Sequence, residues 1–217
     1  MKAVKAVFLG SIGVVAETSE LQRQAFNMAF SEHGLDWYWS VANYCEMLRK
    51  PGGLSRISSF SNGVLSSDEV KAIHIKKEAF FSDYLRGGLT PRPGVVNCIT
   101  KCKEKGIRIG FITSTSQNNV DNLLNALKDS IEVADFELIT TKEDVVAEKP
   151  AGDIYKYALE KFRLKPAEVI AVEDTEINQS AALQEEIFCY LFAGEYATTR
   201  HNINAVRTMA TVTRQLN

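Results

Sequence analysis

Residues 95–115 read VVNCITKCKEKGIRIGFITST and indicate the fold class of the chain. Its first half has apolar residues at helical spacing, which predicts a helix from Val95 to Lys105 that ends at Gly106. The apolar run from Ile107 to Ile112 follows and predicts a buried strand, with Thr113 and further hydroxyl residues after it. A helix that leads directly into an apolar strand is typical of a βαβ unit, so the stretch predicts a parallel sheet.

The same alternation continues on both sides of this stretch. Further strands are predicted at Ala3–Leu9, Phe136–Thr140, Val169–Val172 and Ile187–Phe192. Helices are predicted between them at Asn118–Leu127, Asp153–Phe162 and Asn178–Leu183. Short apolar strands separated by helices of about ten residues favour an α/β fold, a doubly wound parallel sheet of the Rossmann-like type with both faces covered. We therefore predict a core made of residues 1–15 and 89–217.

Residues 16–88 interrupt this alternation and show no strong strand from Tyr38 to Tyr84. Two capping boxes predict the main helices of the block, one at Ser19 and Gln22 and one at Ser66 and Glu69. The block is therefore predicted to be an α-helical cap inserted after the first strand.

Composition excludes several classes of protein. The chain has 217 residues, of which 45% are hydrophobic and 24% are charged, which fits a globular protein with a real core. The 25 basic and 27 acidic residues give a net charge of −2. Because the net charge is small, the protein has no strong positive potential to attract nucleic acid or an anionic membrane, so neither is expected as a partner.

The amino-terminal sequence and the cysteine content indicate the expected cellular compartment. The basic and apolar run from Lys2 to Ala16 resembles a short signal peptide, but a buried first strand is the favoured interpretation. The four cysteines lack both a CxxC pair and the density of a disulfide scaffold, so a cytoplasmic location is expected. Cys98 and Cys102 lie four apart on a predicted helix, where they are either metal ligands or, as we expect, small core residues.

The candidate site follows from the residues just past each strand, because ligands of open parallel sheets bind at the carboxyl ends of the strands. Thr113, Ser114 and the start of the next helix suit phosphate oxygens, and Lys149 supplies positive charge. Glu173 and Asp174 suit a hard cation such as Mg²⁺. Taken singly, each group also has a structural interpretation as turn, solvated loop or helix cap.

Thr113, Lys149 and the Glu173–Asp174 pair have the order and spacing of the second, third and fourth motifs of the haloacid dehalogenase (HAD) superfamily of phosphohydrolases, which the chain resembles. The cap sequence is similar to the CbbY branch, whose known members are xylulose-1,5-bisphosphate phosphatases. The similarity rests on these stretches: Glu17-Thr18, Glu20-Leu21, Arg23, Ala25-Phe26-Asn27, Gly34-Leu35-Asp36-Trp37, Trp39, Gly52-Gly53 and Arg56-Ile57.

The first motif departs from this family. The resemblance implies Asp-x-Asp-Gly, a nucleophile followed by a general acid and base, where this chain reads Gly10-Ser11-Ile12-Gly13. Neither Gly10 nor Ile12 can attack phosphorus or carry a proton. Ser11 is the alternative nucleophile, although it is expected to point away from the site. The family uses Mg²⁺, and here only Asp174 and Glu173 remain as weak ligands.

The resemblance also implies ligand contacts from the cap, at Arg56 and Lys77. A guanidinium suits a second phosphate group of a sugar bisphosphate. The alternative is that both side chains belong to an exposed helix face.

These observations leave three functions open. The leading hypothesis is a pseudophosphatase that binds a phosphorylated sugar or another phosphoester, or that works through a protein partner. The second is a weak or altered hydrolase of the CbbY type that uses water or Ser11. The third is a protein-interaction module with a vestigial cleft, against which the retained Thr113 and Lys149 argue.

Overall fold

The computed structural model describes residues 3–10, 12–50, 52–147, 149–198 and 203–216. Its strands are β1 Ala6–Leu9, β2 Arg108–Phe111, β3 Leu138–Ile139, β4 Val169–Glu173 and β5 Phe188–Leu191. Its helices are α1 Ile12–Val15, α2 Ser19–Glu32, α3 Val41–Met47, α4 Gly53–Ser61, α5 Ser67–Leu85, α6 Val95–Glu104, α7 Gln117–Leu127, α8 Asp153–Phe162, α9 Glu176–Gln184 and α10 Met209–Arg214. Within these ranges, no helix combines the length and the apolar character that a membrane span needs.

The strands form one sheet in the order β3-β2-β1-β4-β5, and each neighbouring pair is parallel. The predicted α/β fold with a doubly wound parallel sheet is therefore confirmed. The strand predicted at 136–140 is shortened to the two residues of β3 at one edge. β1 lies at the centre, which places the ends of β2 and β4 on either side of the residues that follow β1.

Both faces of the sheet are covered, as continuous apolar strands require. Along β1, Val7 and Leu9 point into one apolar cluster, and Ala6 and Phe8 point into the other. Every residue of β1 is buried, as the first-strand interpretation predicts for Ala6–Leu9. Cys98 and Cys102 belong to the first cluster, as the core interpretation predicts, and the cysteines are free.

The chain divides into two compact units. The first comprises the described residues of 1–17, 88–194 and 199–217 and contains the sheet. The second comprises the described residues of 18–87 together with 195–198, and it contains α2 to α5. This second unit has its own core of aromatic and aliphatic side chains.

A polar network in the helical unit is centred on the backbone N–H and C=O of Trp39. Asn27 on α2 accepts from the backbone N–H of Trp39 at 2.8 Å and donates to its carbonyl at 3.1 Å. Arg23 donates to the same carbonyl at 2.7 Å and pairs with Glu20 at 2.6 Å. Hydrogen bonds from Arg23 lower the pKa of Glu20 to about 2. The segment after α2 is thus held to the helix by side chains rather than by a sheet.

The two predicted capping boxes have different outcomes. Ser66 and Glu69 form a capping box at the start of α5, as predicted. The box predicted at Ser19 is wrong, because α2 already includes Ser19, and Thr18 is the N-cap without a side-chain hydrogen bond. The network through Arg23 holds the first turn of α2 through Glu20.

Substitution of Asn27 tests this network. In Asn27→Ala the buried N–H of Trp39 loses its acceptor, and we expect the free energy of unfolding to fall by about 1 to 3 kcal/mol in urea titrations. Asn125→Ala, on an exposed face of α7, is the matched control and should change stability by less than about 0.5 kcal/mol. Equal stability of the two variants would show that the contacts to Trp39 do not hold the helical unit together.

Candidate functional site

The ends of β1, β2 and β4 meet at one point of the sheet. Gly10 follows β1 and donates its N–H to the carbonyl of Val172 in β4 at 2.8 Å. Ile112 follows β2 and donates to the carbonyl of Leu9 at 2.8 Å. β4 ends on Glu173 itself. The residues predicted from the strand ends are therefore brought to one place, which is the usual ligand position of an open parallel sheet.

Lys149 links these three strand ends. Its ammonium donates to the carbonyl of Gly10, to the carbonyl of Ile112 at 2.8 Å and to Glu173 Oε1 at 2.5 Å. An ammonium has three protons, so these acceptors satisfy it completely. Its side chain is only 4% exposed. In the described conformation the lysine predicted to bind phosphate is held by the protein itself.

Glu173 is the second member of this buried group. Its side chain is fully buried, and its Oε1 also accepts from the Tyr155 hydroxyl at 2.6 Å. Within the described ranges, Oε2 has no hydrogen-bond partner. Burial raises the pKa of Glu173, and the Lys149 charge opposes that shift. Burial also raises the pKa of Tyr155 well above its ordinary value, so the phenol keeps the proton that it donates.

Gly10 leaves the space that this group fills. A Cβ atom at Gly10 would overlap the Glu173 carboxyl group and the Tyr155 hydroxyl. Any side chain at position 10, an aspartate included, therefore requires Glu173 to move. Packing against Glu173 and Tyr155 therefore favours glycine at position 10, and the sequence alone does not reveal this.

The other residues after β1 offer no replacement carboxylate. Ile12 is partly buried and packs against the first apolar cluster of the sheet. Ser11, the alternative nucleophile, lies outside the described residues. Gly13 packs closely against Asp174. A Cβ atom at Gly13 would overlap the carboxylate oxygen Oδ2.

The hydroxyl residues after β2 are ordered by hydrogen bonds of their own. Thr113 is buried, donates its backbone N–H to Thr140 Oγ1 at 2.9 Å and accepts from the Thr115 N–H at 3.2 Å through Oγ1. Ser116 caps α7 with its side chain, and Ser114 is half-buried. Thr113 follows Ile112 directly, so this loop begins next to a carbonyl that Lys149 binds.

Two residues between β4 and β5 support the local structure there. Asn178 on α9 donates to Asp174 Oδ1 at 3.1 Å, so this side chain fixes the carboxylate. Glu186, which follows α9, has φ of 58°, a left-handed conformation that favours glycine.

Two contributors were missed by the sequence predictions. Tyr155 has the spacing of an ordinary core residue of α8, so nothing in the pattern marks its contact with Glu173. Arg92 donates to the carbonyls of Gly13, Phe192 and Ala193 at 2.7, 2.8 and 2.7 Å, and so joins the segments that follow β1 and β5. In the sequence, the one feature that distinguishes Arg92 is its position between two prolines.

Arg56 and Lys77, the predicted cap contacts, lie in the helical unit around one aromatic ring. The Lys77 ammonium is 5.0 Å from the centre of the Phe26 ring, and the Arg56 guanidinium carbon is 6.0 Å from it. Lys77 is buried and pairs with Glu78 at 2.8 Å. Burial lowers the pKa of both cations. Arg56 instead donates to the backbone carbonyls of Met47 and Lys50, at 3.3 and 3.2 Å. Lys77 does not belong to an exposed face.

Comparisons with known proteins agree with this fold. A family model described as haloacid dehalogenase-like hydrolase matches residues 13–191. The protein CbbY of Rhodobacter capsulatus is 34% identical over 197 residues, which cover 89% of this chain and 87% of that protein. The crystal structure of CbbY from Rhodobacter sphaeroides in complex with phosphate has a TM-score of 0.85 and 30% identity, with 96% of each chain covered. A mutant of that CbbY in complex with xylulose-1,5-bisphosphate has a TM-score of 0.84 and 31% identity, with 95% and 94% covered.

Phosphatases of this kind generally use Mg²⁺. In the described part of the chain, no three His, Cys, Asp or Glu side chains are grouped as a metal site. Glu173 Oε1 is committed to Lys149 and Tyr155, and Asp174 Oδ1 is committed to Asn178. Glu173 Oε2 has no partner within the described ranges. Glu173 and Asp174 would therefore supply two of the near-octahedral ligands that Mg²⁺ demands, with water and phosphate oxygens as the others.

Substitution at Gly10 tests the packing of this site. We expect Gly10→Ala to lower the free energy of unfolding by about 1 to 3 kcal/mol, because the added methyl group overlaps Glu173 and Tyr155. Gly87→Ala, where a Cβ meets nothing closer than 3.6 Å, is the control. Chemical denaturation measures both.

The same overlap predicts coupling between positions 10 and 173. In a double-mutant cycle, Gly10→Ala and Glu173→Ala should be less than additive by about 0.5 to 3 kcal/mol, because removing the carboxyl group makes room for the methyl group. Strict additivity would place the Glu173 side chain away from Gly10.

Proposed function

The chain belongs to the haloacid dehalogenase-like hydrolases, and we propose that it is a pseudophosphatase of this family that binds a phosphorylated sugar or another phosphoester without hydrolysing it. One observation carries the proposal. The space beside the end of β1, where the family motif calls for a nucleophile, is taken by the Glu173 carboxyl group and the Tyr155 hydroxyl.

The proposed loss of catalysis follows from the chemistry at positions 10 and 12. A phosphoaspartyl intermediate requires a carboxylate with a free lone pair facing phosphorus, and a second group to transfer the proton. Gly10 has no side chain, and Ile12 packs into an apolar cluster. Loss of a nucleophile costs on the order of 10⁴ to 10⁶ in turnover, by comparison with protease knockouts. The whole of this loss falls on the chemical step rather than on binding.

The proposed ligand class is supported by what remains. One relative with the same fold, CbbY from Rhodobacter sphaeroides, has been crystallised with phosphate and, as a mutant, with xylulose-1,5-bisphosphate. In this chain the Thr113 loop opens onto the start of α7, and Lys149 carries a positive charge at the adjoining strand ends. Without two aspartates, a phosphate group avoids repulsion of about 4 kcal/mol per charge at about 4 Å and an effective dielectric near 20. Phosphate binding is therefore retained more easily than hydrolysis.

Arg56 and Lys77 are proposed to bind an anionic group within the helical unit itself. Their charges exceed that of Glu78 by one unit, and both are partly desolvated, which strengthens their attraction for an anion. The planar guanidinium of Arg56 also suits bidentate binding of phosphate oxygens.

Absence of turnover is the first test. With Mg²⁺ present, we expect the wild type to release phosphate from para-nitrophenyl phosphate no faster than the Lys149→Ala variant, because neither chain has a carboxylate nucleophile. A commercial alkaline phosphatase verifies the assay. A wild-type rate about ten times that of the variant would instead support the weak or altered hydrolase.

Phosphate binding is the second test. At about ten times its Kd, inorganic phosphate should stabilise the wild type by about 1.4 kcal/mol and raise Tm by about 3 to 6 °C without added metal. Thr113→Val should reduce that shift, whereas Thr100→Val on the exposed face of α6 should not. An equal shift of Tm in all three proteins would show that phosphate binds away from the Thr113 loop.

A further inference from the structure

The buried contact between Lys149 and Glu173 has a consequence for any ligand of this site. The three protons of the ammonium are already taken by the carbonyls of Gly10 and Ile112 and by Glu173 Oε1. Only one of these three acceptors carries a formal charge. A phosphate oxygen can therefore reach the ammonium most directly by replacing the Glu173 carboxylate, because the two carbonyls belong to backbone that is hydrogen-bonded to the neighbouring strands.

Glu173 is held in place by partners that do not depend on a ligand. The Tyr155 hydroxyl donates to the same oxygen that Lys149 binds, at 2.6 Å. The other oxygen, Oε2, is buried and has no partner within the described ranges. A buried carboxylate with one unsatisfied oxygen is costly, so Glu173 stays only because Lys149 and Tyr155 offset that cost. A more strongly charged anion can therefore displace Glu173 from Lys149.

We propose that Glu173 is an internal competitor of the ligand, an intramolecular carboxylate that occupies Lys149 until a phosphate group replaces it. This inference rests on the function proposed above, and it adds how the site distinguishes ligands. A singly charged ligand, such as a carboxylate or a phosphodiester, exchanges one monoanion for another and gains little. A phosphomonoester with two negative charges gains more from Lys149 than Glu173 does, so the site selects phosphomonoesters.

Calorimetric titration with inorganic phosphate tests the competition. Glu173→Gln keeps the shape of the side chain and its ability to accept from Tyr155, but it removes the charge that holds Lys149. We expect the variant to bind phosphate about ten times more tightly than the wild type, since one charge-assisted contact no longer has to be broken. The gain should disappear in the double variant Glu173→Gln, Lys149→Ala.

Asp174→Asn is the matched control for charge alone. It removes one neighbouring negative charge, and the described contacts of Asp174 Oδ1 are with Asn178 rather than with Lys149. We expect its gain in phosphate affinity to be clearly smaller than that of Glu173→Gln. Equal gains in the two variants would attribute the effect to net charge and overturn the competition.

The remaining outcomes separate this inference from the proposed function. Phosphate binding with the same Kd in the wild type and in Glu173→Gln overturns the competition and leaves the proposed function standing. Binding by neither protein overturns both. Binding by Glu173→Gln alone supports the competition and removes the ligand-binding role from the wild type. If Glu173→Gln does not fold, Tyr155→Phe loosens the same carboxylate and should raise phosphate affinity about threefold, and an unchanged Kd overturns the inference.

Discussion

A single buried ammonium ties the core of the sheet together at its functional end. Lys149 binds the end of β1, the end of β2 and the terminal side chain of β4, and it is almost completely excluded from water. A buried cation requires a buried anion, and a buried carboxylate requires donors in return. Glu173 meets the first requirement, and Tyr155 helps to meet the second. The absence of a side chain at Gly10 is what lets the three groups come together.

The sheet could be predicted from the sequence because its strands are continuous apolar runs, and the position of the site followed from the rule that ligands bind at strand ends. The roles of Lys149 and Glu173 could not be predicted in the same way. Taken alone, a lysine at such a position suits phosphate and a glutamate suits a metal ion. Their mutual pairing depends on the room left at Gly10, and a one-dimensional pattern does not contain that space. Tyr155 was missed for a related reason, since only the fold shows that its hydroxyl meets a carboxylate.

Under the proposed function, the same geometry explains how a phosphatase scaffold loses its chemistry and keeps its stability. Deleting a side chain at the centre of a packed site would leave a void, and voids destabilise a core. Here the space beside Gly10 is filled by a neighbouring carboxyl group and a phenol, so a folded site remains. Under the proposed function, binding is kept without catalysis because the Glu173 carboxyl group and the Tyr155 hydroxyl occupy the space beside Gly10.

The most direct test of this account recovers the ligand after binding. Radiolabelled xylulose-1,5-bisphosphate is incubated with the wild-type protein and Mg²⁺, the complex is isolated by equilibrium dialysis, and the bound label is identified by ion-exchange chromatography. The account predicts saturable binding of one ligand per chain and recovery of the bisphosphate intact after prolonged incubation. Recovery of the label as a monophosphate with free phosphate would contradict it, because a chain without a carboxylate at the end of β1 would then have carried out the reaction.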